Sequence, residues 1–178
     1  MSRMNDEKLR YPIGKFVMPK QGGARTQVQY ISAIGEFPEQ LRQVVASIEK
    51  GKLLDTSYRP GGWTAQQVIH HLADSHLHAY RRHKMTLLED NPTLVPYDEV
   101  AWAELPDVQA VPVQASIDIL SGLHLRWAVL LAQCTEQQWQ RTAYHPGSGI
   151  TYTLESLAAQ YVWHGTHHLA HLEIIAKA

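Results

Sequence analysis

Residues 153–176, TLESLAAQYVWHGTHHLAHLEIIA, predict one long helix. Thr153 is a good N-cap for it, because its hydroxyl can accept a hydrogen bond from an unpaired N–H group of the first turn. At about 100° per residue, Tyr161, His164 and His168 fall on the same face as the apolar residues around them. The middle of the predicted buried stripe therefore consists of imidazole rings.

These histidines need polar partners, because a buried imidazole without one costs about 1–3 kcal/mol. His164 and His168 are one helical turn apart, so their rings stack on one face and both can reach a single ion at about 2.0–2.1 Å. The alternative is that they are core histidines bonded to backbone carbonyls and hydroxyls. A zinc-protease motif is excluded, because HGTHH has glycine where HExxH needs its glutamate base.

A second long helix, predicted over 64–89, carries another group of histidines. Thr64 and Gln67 have the spacing of a capping box at its start. Bundles build metal sites from side chains on facing helices, so this helix is expected to add a ligand. The spacing leaves the choice open, since His76 lies nearest to the apolar stripe and His71 lies on its flank. The full group is His70, His71, His76 and His78.

Two further helices complete the predicted fold. Apolar residues recur at helical spacing over about 37–50, where Gly51 ends the run, and over 113–133. No stretch convincingly predicts a strand, so the expected fold class is all-α, an up-and-down four-helix bundle. In that arrangement the second and fourth helices run parallel, and a modest stagger brings His71 and His164 to the same level.

The chain is predicted to form a single domain over residues 11–178. It is 44% hydrophobic and 19% charged, which suits one globular core. Residues 1–10 are expected to be disordered, and YPIGKF at 11–16 is expected to pack as an N-terminal arm. The long connection between the second and third helices, residues 90–112, contains four prolines and predicts a lid or a crossover.

Charge and cysteine content exclude several classes of protein. The 16 Lys and Arg residues against 17 Asp and Glu give a net charge of −1 without a basic tract, so nucleic-acid binding is disfavoured. The single cysteine, Cys134, excludes an intrachain disulfide and a cysteine-based zinc site within one chain. With no signal-peptide pattern and no run of about 18 apolar residues, we expect a cytoplasmic protein without a membrane partner.

Five motifs occur in an order that is similar to that of a known family. They are YPIGKF at 11–16, GGWTAQQVIHHLADSH at 61–76, EDNPTLVPYDEVAWAEL at 89–105, LHLRW at 123–127 and WHGTHHLAH at 163–171. In these segments the chain resembles the DinB/YfiT-like metal-dependent hydrolase family, and within it the YfiT-like group that includes bacillithiol S-transferases. The resemblance covers residues 11–175.

The resemblance implies a four-helix bundle that binds one divalent ion per chain, zinc or nickel, through three histidines. In the family pattern one ligand lies eight positions after the Trp of a Trp-Ser/Thr pair, which points from Trp63 to His71. The other two ligands are the first and last His of H-x-x-H-H, here His164 and His168. The remaining histidines of this motif are expected beside the site or in packing, and a homodimer is implied.

Such a ligand set predicts catalysis on a small molecule. Three neutral imidazoles leave a divalent ion with its full charge and an open position, which lowers the pKa of a water or thiol that binds there. The predicted function is therefore a hydrolase that activates water or an S-transferase that activates a low-molecular-weight thiol. The alternative is a metal- or ligand-binding bundle without turnover.

Asp74 is the candidate catalytic residue. It lies about one turn after His71 and is expected to orient a histidine of the second helix by accepting the N–H that does not face the ion. The alternative for Asp74 is a solvated surface carboxylate.

Overall fold

The computed structural model describes residues 2–20 and 22–178. Four long helices pack into a bundle, which confirms the predicted four-helix fold. The helices are α1 (Ser2–Arg10), α2 (Ala24–Gly51), α3 (Ala65–Leu88), α4 (Glu99–Trp102), α5 (Pro106–Ala110), α6 (Val113–Ala132), α7 (Glu136–Trp139) and α8 (Leu154–Ala176). The strands are β1 (Thr142–His145) and β2 (Ile150–Thr153).

The order of the helices around the bundle differs from the predicted up-and-down arrangement. Helix α2 packs against α6 and α8, and α3 packs against the same two helices, so successive helices α2 and α3 lie diagonally. On facing sides of α3 and α6, His70 pairs with Ser116 and His76 pairs with His124. Rising residue numbers on one helix meet rising numbers on the other, so α3 and α6 run parallel.

Helices α3 and α8, which carry the predicted metal ligands, run antiparallel. His71 lies against His164, whereas Arg82, further along α3, donates a hydrogen bond to the hydroxyl of Tyr161, which lies earlier in α8. The prediction that the second and fourth helices run parallel is therefore wrong. The sequence could not show this, because the length of a connection does not reveal at which end of the bundle it finishes.

The connection over residues 89–112 is a crossover, one of the two predicted alternatives. Because α3 and α6 are parallel, this segment must return along the 24 residues of α3, about 36 Å at 1.5 Å per residue. It is tied to α3 along the way. Arg82 donates to the carbonyl of Val95 at 3.0 Å, and the Gln66 amide donates to the carbonyl of Val108 at 2.6 Å.

The N-terminal segment differs from the disorder expected for residues 1–10. From Ser2 onward it forms α1, while Met1 lies outside the described residues. The carbonyl of Arg10, at the end of this helix, accepts a hydrogen bond from Nε2 of His171 on α8 at 3.2 Å. This long-range contact explains the difference, because local sequence periodicity carries no record of a tertiary partner.

The first bundle helix is longer than the predicted 37–50. It begins at Ala24, and Pro38 lies inside it instead of in its first turn. Proline has no N–H group, so the carbonyl of Ile34 lacks its usual partner four residues later. The Ile34 carbonyl accepts instead from His124 on α6.

A short hairpin precedes α8, although the sequence predicted no strand. Strands β1 and β2 pair antiparallel, with Thr142 opposite Thr153 and His145 opposite Ile150. Four residues per strand are too few for alternation to stand out in the sequence. The hairpin delivers Thr153 to its predicted position, where its hydroxyl accepts from the backbone N–H of Ser156 and caps α8.

Two apolar clusters fill the bundle, and the histidines lie between them. The Leu41 cluster occupies the end formed by the second half of α2 and the first half of α3, and the Trp127 cluster occupies the opposite end. The Leu41 cluster includes Phe37, Leu41, Val45, Ile48, Val68, Ile69, Leu72, Ile117, Leu120, Leu172 and Ile175. The Trp127 cluster includes Ile34, Ala79, Trp127, Leu131, Trp139, Leu154, Leu157 and Tyr161.

Among the described helices, α6 alone is long and apolar enough to cross a membrane by length and composition. The stretch Gln114–Ala132 has a mean hydropathy of 1.3. Helix α6 is also a bundle helix that buries Ile117, Leu120 and Trp127 against its neighbours.

Candidate metal centre

Three histidine rings meet between α3 and α8. His71, His164 and His168 each offer one nitrogen, and these nitrogens all lie within 4.8 Å of one another. The Nε2 atoms of His71 and His164 are 3.3 Å apart. The ring of His168 lies 4.9 Å from that of His71 and 4.6 Å from that of His164, between centroids. The structure therefore brings together the three residues that the sequence proposed as ligands.

The spacing of these nitrogens fits a small divalent ion. Two imidazole nitrogens bound tetrahedrally at about 2.0–2.1 Å are separated by about 3.3–3.4 Å. The 3.3 Å between His71 Nε2 and His164 Nε2 matches that edge. Imidazole nitrogen is also a ligand that suits zinc and nickel. The residues present thus fit the metal that the sequence implied.

Burial keeps these rings neutral. It lowers the pKa of His71 to about 4, and it lowers the pKa values of His164 and His168 well below the usual 6.5, with neighbouring histidines adding to the effect. Removal from water disfavours the charged imidazolium form. Because only a neutral ring can donate a lone pair to a metal, the site is prepared for metal binding at neutral pH.

Aromatic side chains hold the centre on its outer side. The Trp63 ring lies 4.7 Å from that of His71 and stacks on that of His168 at 6.2 Å. Trp163 stacks on His167 at 4.7 Å and donates its indole N–H to the carbonyl of Gly14. The predicted N-terminal arm at 11–16 therefore packs beside the site.

The three rings open onto a cavity of about 750 Å³. Three arginines line it, Arg10, Arg59 and Arg82, and Glu99 is the one acidic residue among the described lining residues. The crossover supplies Tyr97 as well as Glu99 to the wall. The lining is thus polar and apolar in similar measure, and two of its three arginines, Arg10 and Arg59, are paired with Asp6.

Asp74 is not placed where the sequence predicted a catalytic role. Within the described chain it does not line the cavity, and it makes no hydrogen bond to His71. Its pKa is raised to about 6, first by burial and then by the nearby carboxylate of Asp107. The structure therefore does not show Asp74 bonded to the imidazole that it was expected to orient.

His171 supports His168 from behind. Because the Arg10 carbonyl can only accept, His171 carries its proton on Nε2, and its Nδ1 is free to accept from His168 Nδ1 at 3.4 Å. His167, His168 and His171 also form a compact group of nitrogens. A neutral His168 has only one lone pair, so it can serve an ion with His71 or with this second group, but not both.

Two further histidines, His76 and His124, lie behind His164. The spacing left His76 as an alternative ligand, but its Nε2 instead faces Nδ1 of His164 at 3.3 Å. His76 Nδ1 lies 2.8 Å from Nε2 of His124. In the sequence His124 stood out only as part of the LHLRW motif at 123–127 on an apolar helix.

The fold and the centre together define a helical-bundle protein with a three-histidine cluster that could hold a metal ion. Family comparison makes the assignment specific: residues 33–172 match the DinB superfamily, and the chain belongs to this family. This confirms the resemblance inferred from the sequence motifs.

Relatives match almost the whole chain. It is 42% identical to YfiT of Bacillus subtilis (strain 168), provisionally named a metal-dependent hydrolase, over 98% of this chain and 97% of YfiT. It is also 42% identical to a protein of Geobacillus thermodenitrificans (strain NG80-2) with the same provisional name, covering 96% of each. The solved structure of Bacillus subtilis YfiT, described as having an unusual four-helix bundle topology, matches with a TM-score of 0.91 at 41% identity, covering 96% of this chain and 97% of that chain.

Proposed function

We propose that this chain is a divalent-metal-dependent enzyme whose single ion is held by His71, His164 and His168 and acts on a small molecule. One observation carries the proposal: three neutral imidazole nitrogens within 4.8 Å of one another open onto a cavity of about 750 Å³. That volume is in the range of small-molecule sites, about 300–1,000 Å³. The provisional name of YfiT, a metal-dependent hydrolase, agrees with this class of function.

The chemistry of the site has two versions, hydrolysis and thiol transfer. A divalent ion with three neutral ligands supplies a Lewis acid with an open position, which lowers the pKa of water or of a low-molecular-weight thiol. In hydrolysis, water adds to a carbonyl carbon and gives up a proton, and the leaving group departs with its electron pair and takes up a proton. In transfer, the thiol sulfur forms a carbon–sulfur bond as the leaving group departs, and the thiol proton passes to solvent.

The residues of the chain bind and orient the substrate. Arg10 and Arg59 line the cavity and share one carboxylate, Asp6, at 3.8 and 3.6 Å, so two guanidinium groups face a single negative charge. The remaining positive charge favours a substrate with a negative group. Glu99 is the one acidic side chain among the described lining residues, and we assign it the role of proton acceptor in place of Asp74. Glu99→Gln is therefore expected to slow turnover more than Asp74→Asn, measured as kcat at saturating substrate.

Turnover should depend on the loaded metal. The protein, purified without a His-tag and stripped with chelator, is reloaded with zinc or with nickel. It is then assayed with cysteine plus 1-chloro-2,4-dinitrobenzene for thiol transfer, and with p-nitrophenyl acetate for hydrolysis. We expect the loaded protein to be faster than both the stripped protein and His168→Ala in one of the two assays. Equal rates in all three samples would contradict the proposal.

The alternative is a metal-binding bundle without turnover. One equivalent of zinc or nickel per chain with no activity over a panel of thiol, ester and amide substrates would favour it. We also propose a cytoplasmic location and the homodimer that the family resemblance implies. Sedimentation equilibrium tests the dimer.

A further inference from the structure

His76 and His124 form a continuous chain of polar contacts behind the metal centre. Nδ1 of His124 lies 2.6 Å from the carbonyl oxygen of Ile34, and its Nε2 lies 2.8 Å from Nδ1 of His76. Nε2 of His76 lies 3.3 Å from Nδ1 of His164. The chain of contacts therefore runs from α2 through α6 and α3 to α8.

The first contact fixes which nitrogen carries the proton on every ring. The Ile34 carbonyl can only accept, so His124 carries its proton on Nδ1 and has a lone pair on Nε2. That lone pair accepts from His76 Nδ1, which leaves Nε2 of His76 to accept from Nδ1 of His164. The remaining lone pair of His164 is on Nε2, the atom that faces Nε2 of His71 at 3.3 Å.

Pro38 makes the Ile34 carbonyl available. A carbonyl inside an α-helix normally accepts from the N–H four residues later, and Pro38 has none to offer. Ile34 and His124 are 2% and 1% exposed, so water has little access to this carbonyl. An unpaired buried carbonyl is costly, and the His124 N–H removes that cost.

Phe37 and Gly165 pack against the histidine rings and fix the orientation of their planes. The Phe37 ring centroid lies 5.2 Å from that of His76 and 5.2 Å from that of His124. A Cβ atom on Gly165 would lie 2.9 Å from a ring carbon of Phe37 and 3.5 Å from the His76 ring. This close approach explains a glycine in the middle of α8, directly after His164, where it lowers helix stability by about 1 kcal/mol.

We propose that His76 and His124 are positioning residues that, with the Ile34 carbonyl, hold His164 in the tautomer that presents Nε2 to the ion. The proposal rests on the proposed function only in taking His164 as a metal ligand. Metal-binding histidines commonly donate their other N–H to a partner, and loss of such partners typically costs about 10–100-fold in metal affinity. Here the partner is a histidine that is itself held by another histidine.

The tautomers can be observed directly by long-range ¹H–¹⁵N NMR of the imidazole groups in stripped and zinc-loaded protein. We expect His76, His124 and His164 to be protonated on Nδ1 and unprotonated on Nε2 in both states, because the Ile34 carbonyl sets the pattern without metal. Protonation of His164 or His76 on Nε2 in the zinc-loaded protein overturns the proposal.

Zinc affinity gives a second measurement, by competition with a chelator of known affinity. His124→Leu removes the acceptor for His76 and is expected to weaken zinc binding about 10–100-fold. His124→Gln keeps a side-chain carbonyl that can accept from His76, so its affinity should lie within about threefold of that of the unmodified protein. A folded His124→Leu variant with unchanged affinity contradicts the proposal, and if it does not fold, the NMR measurement decides.

His83→Asn is the matched control. His83 is also on α3 and fully buried, and its Nδ1 pairs with the carbonyl of Ala79 at 2.8 Å, away from the ligand set. Its zinc affinity is expected to stay within about twofold of that of the unmodified protein. If His83→Asn lost as much zinc affinity as His124→Leu, the effect would come from general packing, and the proposed role of His76 and His124 would be overturned.

These measurements are independent of turnover. An inactive protein with the expected tautomers supports this proposal while the proposed function fails. An active enzyme whose His164 is protonated on Nε2 supports the proposed function but contradicts the proposed role of His76 and His124.

Discussion

The two apolar ends of the bundle and its histidine-rich middle are built on the same four helices but have different roles. The Leu41 and Trp127 clusters consist of buried aliphatic and aromatic side chains. Between them lie rings that are equally buried, such as His76 at 1% exposure and His124 at 1%. Burial of apolar groups stabilises the fold, whereas burial of imidazoles lowers their pKa values and costs free energy unless each nitrogen has a partner.

The comparison shows that the bundle buries imidazoles, at a cost in folding free energy, only in the region proposed to bind metal. In the middle, backbone carbonyls and neighbouring rings satisfy many of the imidazole nitrogens, and one nitrogen each of His71, His164 and His168 converges within 4.8 Å of the others. At the ends, no such convergence is needed. Substitutions in the two regions should therefore separate metal binding from folding.

His164→Ala is expected to have the largest effect, and only on the middle. Removal of one of three ligands leaves two, too few for a firm tetrahedral site, so bound zinc should fall from about one equivalent to under about 0.1. The stripped variant should remain folded, since the change removes a partly buried polar ring at the edge of the cavity. Elemental analysis and circular dichroism measure the two quantities, and full metal retention contradicts the ligand assignment.

Low pH should destabilise the metal-free protein because of the buried histidines in the middle of the bundle. Burial lowers the pKa values of His71, His83 and His124 to about 4 from the usual 6.5. Between these values the unfolded chain binds protons that the folded chain does not, so the free energy of unfolding falls as pH falls from about 6.5 to about 4. The slope is about 1.4 kcal/mol per pH unit for each ring. Urea denaturation at several pH values measures it, and a flat profile contradicts neutral burial.

Leu120→Ala should have the converse effect, on the Leu41 cluster alone. Leu120 is fully buried, and such truncations cost about 2–5 kcal/mol of unfolding free energy. Zinc stoichiometry should stay at one per chain wherever the variant is folded. The control is Leu125→Ala on the same helix, where the residue is 68% exposed and the cost should be within about 0.5 kcal/mol. A loss of metal in folded Leu120→Ala would mean that the two regions are coupled.

Gly165→Ala tests the border between the regions and should give the smallest change. The added methyl group pushes on Phe37, which belongs to the Leu41 cluster and packs on His76. Overpacking of this kind costs about 1–3 kcal/mol, partly offset by the better helix propensity of alanine. We expect a few-fold weaker zinc binding together with a small loss of stability. Unchanged zinc affinity would mean that the ring planes are not set by Phe37.

The helices and most of the centre could be predicted from the sequence. Helical periodicity and the capping boxes or caps at Thr64 and Thr153 mark the helices that carry the ligands. Spacing placed His164 and His168 on one helix face and allowed either a shared ion or core hydrogen bonds, and the family resemblance favoured the ion. The choice of His71 over His76 required the family resemblance, because both lie close to the buried stripe of α3.

Long-range features could not be predicted. The contact between His124 and the Ile34 carbonyl joins residues 90 positions apart, and it depends on a proline whose position suggested a helix start. The antiparallel direction of α3 and α8 depends on the path of the crossover, which sequence periodicity does not record. The α1 helix is held by a contact to His171 on the last helix.

Anomalous scattering at the zinc edge from crystals of the zinc-loaded protein tests the metal centre most directly. A single peak about 2.0–2.1 Å from one nitrogen each of His71, His164 and His168 is the expected result. A peak between His167 and His171 instead, or no peak in protein that retains zinc in solution, would contradict it.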